Sequence, residues 1–226
     1  MTQMRYFLLC LIALCFTVHL KATHIVGGEM NYTCLGNNQY EITLTIFRDC
    51  FNGSPNAWFD DPASIGVFHG QTNVLLDEIL IPWDPMLNDT LDPVLSSVCL
   101  VAPPDVCVHT TTYTATITLP PLAAGYTLAY QRCCRNQTIT NIVDPLDTGA
   151  TYSVFISGTA LDVCNSNPKF QSWPPLYICV NEPINFDQSA VDQDGDGLVD
   201  VYLYFGVFAH NGFFCATKVG KRNGTV

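Results

Sequence analysis

The segment from Tyr126 to Asn136 (YTLAYQRCCRN) constrains this chain more than any other. Apolar and polar residues alternate from Tyr126 to Tyr130, the two-residue period of a half-buried strand, and two adjacent cysteines follow. Neighbouring side chains on a strand leave opposite faces of the sheet. The pattern therefore predicts that Cys133 and Cys134 do not join each other, and that each tethers a remote segment. That is the stapling of an exported β-domain and points away from a cytosolic enzyme.

The chain starts with the features of a secretory leader. Arg5 supplies a positive start, Tyr6 to Val18 is an apolar run of 13 residues, and Leu20-Lys21-Ala22 suits a cleavage site. A spanning helix needs about 20 apolar residues, so residues 1–22 read as a signal peptide, and no transmembrane segment is expected. The mature chain is expected to be secreted or held at the outer cell surface. All 20 acidic residues lie between Thr23 and Asp200, where only Arg48, Arg132, Arg135 and Lys169 are basic. Such a surface repels nucleic acid and anionic lipid, and suits cations and neutral partners such as glycans.

Of the 11 cysteines, Cys10 and Cys15 leave with the leader, and an odd number remains for an oxidising compartment. Cys99 and Cys107 bracket a short proline-containing loop, and Cys164 and Cys179 a longer one, so both are expected as local bridges. A hairpin loop at Asn37-Asn38-Gln39 would place Cys34 opposite Ile42, Tyr32 opposite Leu44 and Met30 opposite Ile46. Cys50 then lies about 26 Å along the strand from Ile42, too far to bridge Cys34. Cys34 and Cys50 are accordingly expected to bond Cys133 and Cys134, with Cys215 left over. A thiolate metal site is disfavoured, because no Cys-x-x-Cys pair occurs and the histidines are scattered.

Strand signals recur with turn residues between them. Strands are predicted at His24–Cys34, Gln39–Arg48, Ala63–His69, Val74–Ile81, Thr111–Leu119, Gly125–Cys134 and Thr151–Thr159. Seven short antiparallel strands predict an all-β, immunoglobulin-like sandwich over residues 23–170, cross-linked by disulfides. Residues 82–104 are expected as a proline-rich surface loop. A change of texture near Phe170 to Pro175 marks residues 171–200 as a linker and the start of a second β module. Residues 201–226 are atypical, apolar without clear alternation, with Lys218, Lys221 and Arg222 crowded near the end.

Three motifs bear on chemistry. Ile25-Val26-Gly27-Gly28 copies the mature start of trypsin-like proteases, but no activation site precedes it and no triad segments follow. It reads instead as an edge strand with a glycine bulge. Asp192, Asp194, Asp196 and Asp200 lie in the acidic stretch from Asp192 to Asp200, with Gly195 for a tight turn. Alternate carboxylates of this kind surround a hard cation, so calcium is the one cofactor expected; a solvated acidic hairpin is the alternative. Trp58, Trp83 and Trp173 sit in proline-flanked loops, where they either pack the loops or stack on sugars. Arg48-Asp49 and Arg132/Arg135 are expected to pair across the sheet near the cross-links, in a structural role. Short polar turns produce the sequons at Asn31, Asn52, Asn88, Asn136 and Asn223 by chance, and in a bacterial protein they would mean nothing.

Taken together, Ala22–Glu29, Leu35–Leu44, Phe47–Gly53, Tyr130–Asn136 and Pro174–Glu182 resemble the N-terminal region of large secreted surface proteins of gliding Gram-negative bacteria. The resemblance covers about Ala22 to Val199. Proteins of that kind commonly continue into PKD-like or immunoglobulin-like repeats and end in a gliding-motility-associated domain used for type IX secretion. It implies adhesion or a surface-structural role, and brings no catalytic residues. After Val201 the chain departs from the family, and the repeats and sorting domain are missing, so a truncated or frame-shifted product is expected.

These readings converge on a non-enzymatic, adhesin-like or structural module of a cell-surface protein. Its expected partners are neighbouring immunoglobulin- or PKD-like modules, surface components or glycans. A carbohydrate-binding module is the first alternative, and a secreted hydrolase the second, disfavoured for want of a catalytic set.

Overall fold

A computed structural model of the chain describes residues 24–91, 105–171, 187 and 189–195, and the backbone of Tyr202–Tyr204 and Thr217–Gly220. Strands β1 (Ile25–Gly36), β2 (Gln39–Asp49), β3 (Ala63–His69), β4 (Leu75–Ile81), β5 (Asp89–Thr90), β6 (Val108–Thr118), β7 (Tyr126–Arg132) and β8 (Ala150–Ile156) form two antiparallel sheets. Their orders are β1-β2-β6-β5 and β4-β3-β7-β8. This is the strand order of an immunoglobulin-like sandwich with one strand added to the second sheet. Helix α1 (Gly158–Val163) follows β8, and the short strands β9 (Lys169–Phe170) and β10 (Ala190–Val191) pair with each other. Strands β11 (Tyr202–Tyr204) and β12 (Thr217–Gly220) form a further antiparallel pair.

The core follows from alternation. Tyr40, Ile42, Leu44 and Ile46 of β2 point inward and are buried, as are Tyr126, Leu128 and Tyr130 of β7. Leu44 and Leu128 have no exposed surface. Burying each such side chain contributes about 1.5–3 kcal/mol. Tyr126 opens β7 and donates its hydroxyl to the Pro120 carbonyl at 3.0 Å, the tyrosine corner of this fold class. Leu128 holds the position two residues on, where antibody domains place a cysteine, so hydrophobic packing rather than a cross-sheet disulfide joins the sheets at this point. Gly28 lets β1 approach β8: a β-carbon there would meet Ile46 Cδ1 and the Thr45 carbonyl at 2.9 Å and Tyr152 Cε1 at 3.1 Å.

All seven predicted strands are present, with three differences. The first hairpin pairs Gly36 with Gln39 and Tyr32 with Ile42, a two-residue offset from the expected register. Asn37 and Asn38 both adopt positive φ (51° and 61°), making a two-residue turn, and the offset keeps the same faces inward. The expected loop before Pro104 contains β5, two residues long. The last predicted strand ends at Ile156, because the Ser157 hydroxyl accepts the Ala160 N–H at 3.0 Å and caps α1.

The cysteine pairings differ from expectation. Cys34 bonds Cys164, Cys50 bonds Cys107, and Cys133 bonds Cys134. Cys50 and Cys107 extend the β2–β6 ladder by one step beyond the Asp49–Val108 pair, and the Cys50 N–H donates to the Cys107 carbonyl. The argument from opposite strand faces does not reach Cys133 and Cys134, since β7 ends at Arg132. Because Cys107 and Cys164 are taken, the two expected local bridges do not form. Cys99 and Cys179 lie outside the described residues.

The Cys34–Cys164 bond also blunts an exposed edge. Residues following α1 run along β1: Asn167 donates its N–H to the Tyr32 carbonyl and accepts the Tyr32 N–H with its side chain at 2.6 Å. The Ser166 hydroxyl accepts the Cys34 N–H at 3.0 Å. Asn167 Nδ2 donates to Asn31, which donates to Glu29. Such side-chain mimicry satisfies edge groups that would otherwise template pairing with another strand.

Candidate functional site

The inward alternation of β2 does not stop at Ile46. Arg48 is the next inward residue and is buried, and its ladder partner on β6 is His109. On β7 the series Tyr126, Leu128, Tyr130 continues to Arg132 at the same end of the sandwich. Two of the four basic residues between Thr23 and Asp200, Arg48 and Arg132, therefore come together where the core meets the loops. Buried cations need partners, and the segment between β2 and β3 supplies them.

That segment is held at several points. The Asp49 carboxylate accepts the N–H groups of Phe51 and Asn52 at 2.9 and 2.8 Å, and also the side-chain amides of Asn52 and Asn136. Arg48 donates to the Ser54 carbonyl at 3.2 Å, and Arg132 to the Trp58 carbonyl at 2.9 Å. The Asp60 carboxylate pairs with Arg132 and accepts the Tyr130 hydroxyl, while its carbonyl accepts the Tyr113 hydroxyl at 2.7 Å. Burial holds both phenols well above the ordinary tyrosine range; the Asp60 hydrogen bond adds to this for Tyr130 and the neighbouring Tyr130 for Tyr113. The phenols therefore serve as hydrogen-bond donors.

The outcome is a fixed aromatic ledge. Phe59 turns into the core, while Trp58 stays 43% exposed. The Trp58 ring lies 6.0 Å from that of Trp83 at 29°, and 5.9 Å from that of His109 at 14°. The Arg48 guanidinium sits 4.4 Å from the Trp58 ring centroid. Trp83 is anchored by its indole N–H on Asn88 at 3.0 Å and its backbone N–H on Asp61 at 3.1 Å.

His24 lies beneath this loop with no exposed surface, its carbonyl accepting the Asp49 N–H at 2.7 Å. Burial, followed by the charges of Arg132 and Arg48, lowers its pKa to about 4, with the Trp58 carbonyl opposing part of the shift. His109 is lowered as well, by burial and by Arg48. Both rings are neutral at physiological pH. Cys50, Cys107 and His109 bring three ligand atoms within 4.8 Å of one another, but both sulfurs are consumed in the disulfide.

Comparison with protein-family models, curated proteins and solved structures finds no match to this chain.

The other residues singled out in the sequence are placed as follows. Asp192 accepts the Gly195 N–H at 3.2 Å, and Asp194 accepts the Ser166 N–H, which ties the acidic turn to the segment along β1. Asp196, Asp200 and Trp173 lie outside the described residues. Arg132 pairs with Asp60 rather than across the sheet, and Arg135 donates to the Gly149 carbonyl at 3.2 Å. Asn31 and Asn136 are buried and hydrogen-bonded, so those two sequons are framework residues. Reasoning along the sequence assigned His24, Asp60, Tyr113, Tyr130 and Asn136 no part in this cluster. The one available signal was that Arg48 and Arg132 each extend an inward-facing apolar series.

Proposed function

We propose that this chain is a non-enzymatic, extracellular structural or adhesin-like module of a surface protein exported by the type IX route. The observation supporting this reading is the use of the polar groups at the loop-bearing end. Arg48, Asp49, Asp60, Arg132 and Asn136 are all committed to holding the segment between β2 and β3, so their chemistry goes into rigidity. The disulfides among the described residues suit an oxidising compartment, and among those residues no helix is long and apolar enough to cross a membrane. Its partners in this reading are adjoining immunoglobulin- or PKD-like modules and surface components; the acidic surface disfavours nucleic acid. Calcium at Asp192, Asp194, Asp196 and Asp200 is the accessory ion proposed, stiffening the acidic turn.

The test is to express the full chain with its leader in a gliding Gram-negative host. Cleavage after Ala22 and recovery of oxidised protein outside the cytoplasm are the expected results. Reduced protein that stays cytoplasmic rejects the proposal, as does turnover on a hydrolase panel that one substitution abolishes. Calorimetry at millimolar calcium tests the ion separately.

A second reading, a carbohydrate-binding module, is favoured by one specific observation: Trp58 is exposed, immobilised and aligned with Trp83.

A further inference from the structure

We infer that Trp58 and Trp83 form a platform for the pyranose rings of a neutral polysaccharide, an assignment that rests on the second reading above. Nearly parallel rings with centroids about 6 Å apart are displaced sideways rather than overlaid. Trp83, Trp58 and His109 thus make an offset stack that leaves Trp58 partly open. Arg48 covers one face of Trp58, and the residue as a whole remains 43% exposed.

The platform is built before any ligand arrives. Arg132 fixes the Trp58 carbonyl, Asp60 on the next turn of chain is held by Arg132 and Tyr130, and the Trp83 indole is anchored on Asn88. A side chain of this size left half open on an immobilised loop incurs no ordering cost on binding, which is the advantage of preorganisation. Its neighbour Phe59 shows that the same loop is able to bury an aromatic ring.

Charge selects the class of ligand. The cations beneath the ledge are occupied: Arg48 is buried under Trp58 and Arg132 is paired with Asp60. The exposed carboxylates Asp61 and Asp84 adjoin Trp83: Asp61 accepts its backbone N–H, and Asp84 follows it in the chain. Within a chain of net charge −11 they repel uronates and sulfated sugars. They offer acceptors to the hydroxyl groups of neutral hexoses and pentoses, whose C–H faces lie on the indole.

The experiment is affinity electrophoresis of the full chain through gels containing a neutral β-glucan, a xylan, a mannan or, separately, polygalacturonate. Intrinsic tryptophan fluorescence is followed in parallel. Retardation by at least one neutral polymer is expected, with a shift in tryptophan emission. Trp58→Ala should weaken binding at least tenfold and Trp83→Ala several-fold. Trp58→Tyr, which keeps a flat ring over Arg48, should retain binding within a few-fold and verify that the fold survives. Lys169→Ala, on β9, should change nothing. Retardation that persists in both alanine variants overturns the platform but leaves the carbohydrate reading standing. Failure of every polymer, polygalacturonate included, to retard the wild-type chain overturns both, and leaves the surface-module proposal untouched. Binding only to polygalacturonate overturns the neutral-sugar assignment.

Discussion

At the loop-bearing end, His24 makes stability depend on pH. The folded chain binds this proton far less readily than the unfolded chain, with a pKa of about 4 against an ordinary 6.5. Its contribution is therefore complete above pH 6.5 and is lost as the pH falls toward 4. The shift corresponds to an amount on the order of 3 kcal/mol. Thermal melting of wild type and His24→Leu across pH 4 to 8 should show wild type losing more stability than the variant on acidification. Parallel profiles would show that the ring is more hydrated than its burial implies. Gly28 is the second sensitive position. Gly28→Val should destabilise the chain by about 1–3 kcal/mol in urea unfolding, because β1 must move away from Tyr152.

At the scale of elements, edge protection depends on the link between β1 and the segment after α1. Cys34 and Cys164 are 130 residues apart, and the bridge from Cys50 to Cys107 already shortens that loop. Replacing Cys34 and Cys164 by serine should cost about 4 kcal/mol of loop entropy, read as a lower denaturant midpoint. If the midpoint is unchanged, Asn167 and Ser166 are holding the segment unaided. The strands themselves are legible because alternation is local: Tyr40, Ile42, Leu44 and Ile46 declare β2 without reference to any other segment. Helix α1 is not legible in this way, since six residues give too little periodicity, and only the Ser157 cap marks it. The hairpin register was open as well, because Asn37 and Asn38 suit either a two-residue or a three-residue loop until both adopt positive φ.

At the scale of the whole molecule, topology decides which strand ends meet. Peptide mapping under non-reducing conditions should return Cys34–Cys164, Cys50–Cys107 and Cys133–Cys134. A peptide joining Cys34 or Cys50 to Cys133 or Cys134 would contradict this topology. The same strand order explains why the ledge could be glimpsed only in part. Trp58 and Trp83 stood out as loop tryptophans, yet nothing local says that the loop after β2 and the loop after β4 meet. They meet because β2 lies beside β6 in one sheet and β4 beside β3 in the other, so that Arg48, His109 and Arg132 all finish at one end.

Read alone, the chain determined its class and most of its strands: each strand writes its own two-residue period, and burying one face rewards that period wherever the strand lies. The cystine partners, the capped edge of β1 and the offset stack of Trp58, Trp83 and His109 were decided only by the tertiary structure. Each depends on segments far apart in the chain being brought within a few ångströms, and that distance is a property of how the two sheets are ordered and stacked, not of any one segment.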